Sequence, residues 1–423
     1  MREQVPDVAP FLRLGGREWS LPQALKALNH RAYRLYWMGQ LVSLTGSWMQ
    51  ATAQQWLVYR VTGSPILLGT IMLCQTLPVT ILGFPAGVIV DRVDKRVFLA
   101  WVQVALMIPA LTLALLTYTD TVKFWHVAAL AVVFGCANTF DMTTRQSFTI
   151  EMVGRDDVRN AIALNSSIFN GARLVGPAIA GVLISRMGEA PAFLANGLSF
   201  LALIAALAVM KVPFPAARRS EQTSPLADLR ESMTYLRRTP EVLGLVVAAA
   251  IPSTFGFTCT MLIPVMARER LGLGADGFGM LVSSMGFGAL VGALTLATRG
   301  GPMAARGART LVVARLAFAA GLVLFALSTS VPLSMLALVI AGWGMITHLA
   351  STNSLIQLLV PDALRGRISS TYVWAIVGLA PLGNMTLGAL AEAFSAPIAI
   401  LCAAGICVVA VAVSLLTRVY ARP

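Results

Sequence analysis

The feature that most constrains this chain is a succession of long apolar segments separated by short, charged connections. Hydrophobic residues make up 57% of the 423 positions and charged residues only 12%, against about 25% charged in a soluble domain. A helix needs about 20 apolar residues to cross a bilayer, where no water satisfies an exposed backbone. The sequence therefore predicts an all-α membrane protein with twelve transmembrane helices. We place them at residues 34–60, 65–90, 97–118, 123–150, 158–186, 190–211, 241–268, 276–298, 310–328, 332–359, 367–393 and 397–417.

Basic residues predict the orientation of these helices. Most of the 32 lysines and arginines lie in the termini and in the even-numbered connections, and we count Arg145 and Arg315 among them. The odd-numbered connections contain few, among them Arg60 and Lys123. Because cytoplasmic connections carry an excess of lysine and arginine, both termini are predicted to be cytoplasmic. The expected location is the cell inner (plasma) membrane, as a multi-pass protein.

The two halves of the chain share an internal pattern of glycines. Residues 135–181 align without a gap on residues 342–388, and Asp141 then falls on His348. Four glycines in one register indicate a duplicated unit, so we predict two six-helix pseudo-repeat halves. The glycines that coincide are Gly135, Gly171, Gly176 and Gly181 with Gly342, Gly378, Gly383 and Gly388.

This repeat divides the chain into four segments. The lead, which includes Lys26, forms either a surface helix on the inner leaflet or a flexible extension. The linker places Met233 and Leu236 at helical spacing, so it is either a short amphipathic helix against the cytoplasmic face or a plain tether. The segments are a cytoplasmic N-terminal lead (1–33), an N-terminal half (34–211), a cytoplasmic linker (212–240) and a C-terminal half (241–423).

The sequence contains no pattern typical of an enzyme or of a cofactor site. It has no glycine-rich nucleotide-binding loop and no H-E-x-x-H zinc motif, and its three histidines do not cluster. All five cysteines lie within apolar segments, which predicts no disulfide framework. A net charge of +13 that follows membrane topology does not indicate a nucleic-acid partner. We therefore expect no catalytic residues, no metal and no cofactor, with a gradient as the energy source unless a separate ATPase drives the protein.

The connection after the second span reads GVIVDRVDKR. It resembles the loop between spans 2 and 3 of the major facilitator superfamily, G-x-x-x-D-R-x-G-R-[RK], with Asp94 in place of the glycine of the tight turn. The resemblance implies a latch, in which the acid pairs with an arginine in one state of the protein. Positive-inside topology alone would explain the basic residues, but not the acid beside them. The candidate latch residues are Gly87, Asp91, Arg92, Lys95 and Arg96.

Spans 1, 4 and 5 resemble the drug and siderophore exporter branch of this superfamily. The resemblance rests on the run QLVSLTGSWMQATAQQWLVYRVTGSPILLG, on the D-x-x-x-R at Asp141 and Arg145, and on the span-5 segment NGARLVGPAIAG. The span-5 segment is similar to a motif that the superfamily associates with antiporters, since glycines permit close packing and proline permits a bend. The mid-span arginine that many proton-coupled antiporters carry early in span 4 is absent. The residues of this packing motif are Gly171, Gly176, Pro177 and Gly181.

Three charged or titratable side chains are expected deep in the spans, and they are the candidates for proton coupling: Asp141, Arg173 and His348. An intramembrane charge is costly and indicates function by default. Arg173 is expected near Asp141, either as a tuning charge or as half of a structural salt bridge between spans 4 and 5. Because histidine exchanges protons near neutral pH, His348 is either a proton carrier or a packed histidine.

Polar side chains in spans 1 and 7 are candidates for a substrate cavity. In span 1, amides and hydroxyls lie on or beside one helical face, and in span 7 two threonines share a face near phenylalanine. Such groups, with few fixed charges, suit a large amphipathic or weakly charged molecule. Hydrogen bonding between helices is the alternative for each of them. The candidates are Ser43, Gly46, Gln50, Gln54, Thr254, Phe257 and Thr258.

The resemblance implies a secondary active transporter that exports small amphipathic compounds, drug-like or siderophore-like, by alternating access. Proton antiport is the expected energy source. An importer or a lipid flippase of the same fold is the alternative, and a membrane-embedded enzyme or receptor is less favoured. The expected partners are a small-molecule substrate, protons and membrane lipid, without nucleic acid, and the expected state is a monomer.

Overall fold

The computed structural model describes residues 23–210, 225–298 and 303–416, and every regular element in these ranges is a helix. The all-α class is therefore confirmed for the described part of the chain. The predictions for most of the lead and for the first part of the linker lie outside the described residues.

The described elements start with a 3₁₀ helix at Gln23–Asn29. Most of the helices that follow have the length of a membrane span, since each residue of an α-helix rises 1.5 Å. The α-helices are α1 (Arg31–Thr62), α2 (Pro65–Val90), α3 (Lys95–Tyr118), α4 (Phe124–Met187), α5 (Ala190–Val209), α6 (Pro225–Arg238), α7 (Pro240–Ile251), α8 (Ile263–Val265), α9 (Ala275–Thr298), α10 (Met303–Leu327), α11 (Val331–Leu359), α12 (Asp362–Val377), α13 (Ala380–Ala393) and α14 (Ala396–Leu416).

Eleven segments of the described residues are long and apolar enough to cross a membrane, where the sequence predicts twelve. The predicted span without such a segment is α1, although its 32 residues give it sufficient length. Its buried Gln40, Gln50 and Gln54 lower its hydropathy, because an amide is far less favourable in a bilayer than an aliphatic side chain. Helix α1 thus has the length of a span without its apolarity, and a twelfth span stays a prediction.

Helix α4 contains two of these segments, Phe124–Gly154 and Asp156–Met187. The chain bends between them at Gly154, whose φ of 73° and ψ of 179° lie outside the helical region. An added Cβ at Gly154 would meet no atom within 4 Å, so the backbone conformation rather than space requires glycine there. The charged turn expected between spans 4 and 5 is therefore a sharp bend within helical structure.

The 3₁₀ helix at Gln23–Asn29 is held against α4 just after this bend. Lys26 Nζ and, one residue after the helix ends, His30 Nε2 each lie 2.9 Å from a carboxylate oxygen of Asp157. This carboxylate raises the pKa of the exposed Lys26 amine through a hydrogen bond and through its charge. For residues 23–29, the structure agrees with the helical alternative for the lead rather than with the flexible one.

Helix α6 matches the amphipathic helix predicted in the linker. Its Leu236 is fully buried in an apolar cluster with Val242 and Ile368, and its Glu231 pairs with Arg367 of α12. The described end of the linker is therefore a helix packed on the protein and not a plain tether.

The segment predicted as span 7, Pro240–Arg270, is apolar but is not a regular α-helix. Helix α7 ends at Ile251 and is followed by π-helical, 3₁₀ and short α-helical turns. Pro252 and Pro264 each remove a backbone donor and clash with the preceding turn. Such π turns are frequent at functional sites.

Small residues allow helices of the first half of the chain (residues 23–210) to pack closely on helices of the second half (residues 225–416). A Cβ on Gly286 of α9 would lie 2.6 Å from the carbonyl oxygen of Arg173 in α4. A Cβ on Gly69 of α2 would lie 2.5 Å from the carbonyl oxygen of Asn384 in α13. The α4–α9 and α2–α13 contacts are therefore seams in which the backbones nearly touch.

Candidate functional site

A closed ring of hydrogen bonds surrounds Asp141 on α4. Arg145 Nε donates to Asp141 Oδ2 at 2.5 Å, and Gln103 Nε2 of α3 donates to Asp141 Oδ1 at 2.5 Å. Arg145 Nη2 donates to Gln103 Oε1 at 3.3 Å. Asp141 is buried, and the positive charge one turn along the same helix neutralises it. The ring therefore gives both oxygens of a buried carboxyl group a hydrogen-bond donor.

A second buried cluster surrounds His348 on α11. Arg315 Nε of α10 donates to His348 Nδ1 at 3.1 Å, and Arg315 Nη2 donates to Thr352 Oγ1 at 3.4 Å. His348 Nε2 is buried without a hydrogen-bond partner. Since Nδ1 accepts from the arginine, the ring proton of a neutral His348 lies on Nε2. The cluster thus pairs an arginine with an uncharged histidine.

Arg315 corrects our assignment of the basic residues. We counted it with the cytoplasmic connection before span 9, but it lies inside α10 and is 1% exposed. The predicted span 9 (310–328) already contained Arg315. An arginine within a span indicates a functional or paired group. Arg145, also counted with the cytoplasmic residues, is largely buried beside Asp141. When hydropathy is averaged over the length of a span, a single charged residue within an apolar segment changes the average little and is easily overlooked.

Arg173, on the second span of α4, is 5% exposed but does not approach Asp141, which corrects the expected pairing. Its guanidinium lies 5.5 Å from the ring centroids of Trp48 and of Phe257. Arg173 Nη2 lies 4.0 Å from the Met345 sulfur of α11. Arg145 already satisfies the Asp141 carboxylate, and Arg173 contacts aromatic faces from both halves of the chain instead.

The packing motif of span 5 contacts two neighbouring helices. A Cβ on Gly176 would lie 2.7 Å from Trp48 Cβ of α1, and a Cβ on Gly181 would lie 2.9 Å from the Ala275 carbonyl oxygen of α9. The Pro177 carbonyl oxygen lies in the same α4–α9 seam, while a Cβ on Gly171 would meet nothing within 4 Å. The motif positions Arg173 between α1 and α9, and Gly171 takes no part in this packing.

The span-1 candidates for a substrate cavity mostly make contacts between helices. Gln50 Oε1 accepts from Asn196 Nδ2 of α5 at 2.7 Å, and Gln54 Oε1 accepts from Gln75 Nε2 of α2 at 3.2 Å. A Cβ on Gly46 would lie 2.6 Å from Asn196 Oδ1. The hydroxyl of Ser43 is buried without a partner. In this conformation these residues therefore match the alternative of helix packing.

The span-7 candidates divide into packed and open residues. Thr258 Oγ1 donates to the Thr254 carbonyl oxygen at 2.6 Å, and a Cβ on Gly383 of α13 would lie 1.6 Å from the same oxygen. Both threonines are buried, whereas Phe257 is 36% exposed. Of the three, Phe257 is the one that combines an open surface with a contact to a buried charge.

The predicted latch makes different contacts from those expected. Asp91 ends α2 and is exposed, and within the described part of the chain its carboxylate has no ion pair. Asp94 instead caps α3, since its Oδ1 accepts a hydrogen bond from the Val97 amide at 3.1 Å. The φ of Asp94 is −63°, so the turn does not need glycine at this position. Lys95 pairs with Glu151 of α4.

The remaining latch residues lie around this cap. Arg96 Nη1 donates to the Met210 carbonyl oxygen at 2.5 Å, Arg92 is exposed, and a Cβ on Gly87 would meet nothing within 4 Å. The basic residues Lys95 and Arg96 therefore hold the start of α3 on α4 and on the end of α5, all within the first half of the chain.

Polar contacts join the two halves of the chain at the end that contains the α1–α2 connection and further along α2. Where α1 ends, the Tyr59 hydroxyl binds the Glu269 carboxylate, and Arg268 lies 5.9 Å from the Tyr59 ring centroid. At the start of α2, Ser64 Oγ donates to Glu392 Oε2 at 2.8 Å. Further along α2, Thr80 Oγ1 donates to the Gly378 carbonyl oxygen at 3.0 Å, and Trp374 Nε1 donates to the Thr80 carbonyl oxygen at 3.4 Å. Contacts between the halves are therefore present both at the end that contains the α1–α2 connection and further along α2.

Comparison with a protein-family profile identifies the family of this chain. The transmembrane secretion effector family of the major facilitator superfamily matches residues 23–422, which is nearly the whole chain. The chain belongs to this family. It is therefore a transporter and not an enzyme. With eleven segments among its described residues that are long and apolar enough to cross a membrane, it is a multi-pass protein of the inner membrane.

The relatives of this chain include proteins named as an efflux pump, an exporter and a transporter. It is 26% identical over 364 residues to the multidrug efflux pump Tap of Mycolicibacterium fortuitum, covering 84% of this chain and 87% of the relative. It is 24% identical over 398 residues to the enterobactin exporter EntS of Shigella boydii, covering 92% of each protein. The staphyloferrin A transporter of Staphylococcus aureus is 23% identical over 265 residues, covering 62% of this chain and 66% of the relative.

Solved structures of the superfamily share the fold. A bacterial homologue of the human lysosomal transporter Spinster, in an inward-facing and unoccupied conformation, has a TM-score of 0.71 at 13% identity, covering 92% of this chain and 97% of that one. The nucleoside transporter NupG has a TM-score of 0.68 at 13% identity, covering 91% and 98%. At these identities the comparison supports the fold alone.

Proposed function

We propose that this transporter exports small amphipathic compounds by alternating access in exchange for protons. We further propose that α1 is the twelfth span, that the spans form two six-helix halves joined by a cytoplasmic linker, and that both termini are cytoplasmic. The relatives named as a multidrug efflux pump and as an enterobactin exporter support this direction and substrate range. A monomer is the simplest unit for this function.

Proton coupling rests on one observation, the hydrogen-bonded ring of Asp141. A proton antiporter needs a titratable group whose surroundings differ between two states. In the conformation seen here, Arg145 and Gln103 both donate to the Asp141 carboxyl group. Movement of α3 relative to α4 would remove the Gln103 bond and allow the acid to take up a proton.

Two further groups take different parts in this proposal. His348, which coincides with Asp141 in the glycine register, also lies beside an arginine, and we propose it as a second titratable site. Among the described residues, Arg173 contacts neither Asp141 nor His348, and its neighbours are aromatic rings and a sulfur. Its role is therefore separate from the proton path.

Alternating access is supported by the polar contacts between the two halves of the chain at the α1–α2 end. With cytoplasmic termini, this end faces outward, and these contacts would close the outer side. The outward-open state requires the Tyr59–Glu269 and Ser64–Glu392 contacts to separate. Transport would then proceed by exchange between these two arrangements.

Transport into inside-out membrane vesicles tests the proposal. Two dansyl-labelled amphipathic probes, one a carboxylate and one neutral, are added with an imposed pH gradient that is acidic inside. We expect accumulation of at least one probe that a protonophore abolishes and that empty vesicles lack. Uptake only into right-side-out vesicles would indicate the importer, and gradient-independent flipping of a labelled phospholipid would indicate the flippase. Either result would overturn export.

A further inference from the structure

Within the described part of the chain, Arg173 is a buried cation that no acidic side chain neutralises. Among the described residues, no acidic side chain forms an ion pair with Arg173, and two buried acids pair with other arginines: Asp141 with Arg145, and Glu189 with Arg60. Arg173 lies near the middle of the segment Asp156–Met187. An unpaired charge at this depth is unfavourable unless it serves a function.

The surroundings of Arg173 leave its donor groups available. Trp48 and Phe257 each present a ring within 5.5 Å of the guanidinium carbon, which suits a cation–π contact. Aromatic faces stabilise the charge but accept no strong hydrogen bond from the five N–H donors of a guanidinium. The Met345 sulfur, at 4.0 Å from Nη2, is a weak acceptor. The site therefore offers a planar set of donors without an oxygen acceptor.

The position of Arg173 is enforced by close packing. Its carbonyl oxygen lies against Gly286, where a Cβ would approach to 2.6 Å, and Gly176 one turn later leaves room for Trp48. The charge cannot withdraw toward the membrane surface without separating these helices. A bound anion is the remaining way to neutralise it.

We propose that Arg173, Trp48 and Phe257 form a binding site for the carboxylate of an aromatic amphipathic compound, which is the compound transported. This inference rests on the proposed export function and narrows its substrate class. The guanidinium matches a carboxylate with two parallel N–H to oxygen bonds. The rings of Trp48 and Phe257 provide apolar surface for the body of the compound, and Phe257 is already partly exposed.

The site joins the two halves of the chain. Trp48 and Arg173 belong to the first half, and Phe257 and Met345 belong to the second. A ligand that contacts both sides responds to their relative movement, so its affinity differs between inward-open and outward-open states. This is the requirement that a transported compound must meet.

Binding to the purified full-length protein in detergent tests the site without any gradient. The probes are 2-naphthoate and 2-naphthylmethanol, which share the aromatic body and differ in the charged group, and equilibrium dialysis measures both. We expect the wild type to bind the carboxylate about 10- to 100-fold more tightly, the range of a charge-assisted hydrogen bond. Arg173→Gln should reduce carboxylate binding to the level of the alcohol, and Arg173→Lys should keep part of the preference.

The matched control is Arg186→Gln, which removes an exposed arginine from the end of the same helix and should leave both affinities unchanged. Thermal unfolding of each variant separates folding from binding, and Arg173→Gln is expected to unfold no lower than the wild type because it removes an unpaired buried charge. Equal affinity of the wild type for both probes, or a preference that persists in Arg173→Gln, would overturn the site. Preferential binding without pumping in vesicles would instead refute export alone.

Discussion

Asp141 and His348 hold the same register position in the two halves of the chain, and each lies beside an arginine. The arginine comes from the same helix for Asp141 and from the neighbouring helix for His348. The two clusters therefore differ in how they respond to helix movement. Arg145 travels with Asp141 on α4, whereas Arg315 and His348 separate whenever α10 moves relative to α11.

Asp141→Asn should abolish export driven by a pH gradient while sparing substrate binding. The amide cannot exchange a proton near neutral pH, and it leaves Arg145 without a carboxylate. The measurement compares transport under an imposed gradient with equilibrium binding in detergent. Asp120→Asn is the control, because Asp120 is exposed with a φ of 53°, a conformation that asparagine tolerates. Full gradient-driven export by Asp141→Asn would show that the acid is structural.

His348→Ala should shift the pH dependence of export and lower the stability of the protein. The change removes the acceptor of Arg315 Nε, and a buried donor without a partner costs about 1–3 kcal/mol. His348→Gln, which keeps an acceptor near Arg315, should recover most of the stability without the original pH profile. Unchanged pH dependence in both variants would leave His348 with a packing role only.

At the level of elements, the α2–α3 connection is held by an N-cap, one ion pair and a hydrogen bond to a backbone carbonyl rather than by Asp91. Asp94→Ala should destabilise the protein by about 1 kcal/mol, the usual effect of losing a cap, because the Val97 amide loses its acceptor. Asp91→Asn should leave the unfolding midpoint unchanged, since the Asp91 carboxylate is exposed. Thermal unfolding of the two variants side by side measures the difference. Equal destabilisation would contradict the observed capping.

Close packing of α4 on α1 gives a second prediction at this scale. Gly176→Leu should block transport, because even a Cβ at this position would lie 2.7 Å from Trp48 Cβ and a leucine would push the helices apart. Gly171→Leu is the matched control, since a Cβ there meets nothing within 4 Å. Export by both variants at the wild-type rate, with equal expression, would remove the packing role of the motif.

For the whole molecule, the contacts between the halves at the α1–α2 end are expected to control whether the outer side is closed. Glu269→Gln should weaken the contact with Tyr59 and favour opening at that end. Phe278 is fully buried there against Trp56, with ring centroids 5.7 Å apart. In a Phe278→Cys background, labelling by a membrane-impermeant maleimide added from outside should therefore increase with Glu269→Gln.

The control for this experiment is Glu189→Gln, which breaks the Arg60–Glu189 ion pair at the same end but within the first half of the chain. It should leave the labelling of Phe278→Cys unchanged. If both acid substitutions raise labelling equally, a general loosening of that end and not the contact between halves controls access.

The sequence by itself determined the class of this protein and the location of most of its spans. A bilayer admits few backbone conformations, because every buried amide and carbonyl must be satisfied within the chain, so hydropathy alone predicts helices. The span-5 glycines and the loop after α2 were likewise sufficient to place the chain in its superfamily. Even the close approach of α4 to its neighbours follows from the small residues at Gly176 and Gly181.

Only the tertiary structure decided which polar groups meet. Arg173 was expected beside Asp141 and lies instead between Trp48 and Phe257, and Arg315 proved to be the partner of His348. Depth along a span is readable from sequence position, but contact depends on the rotation and tilt of each helix about its axis. These depend on the packing of all neighbouring helices at once, and each residue turns the side-chain direction by about 100°, so a small error in rotation changes the partner.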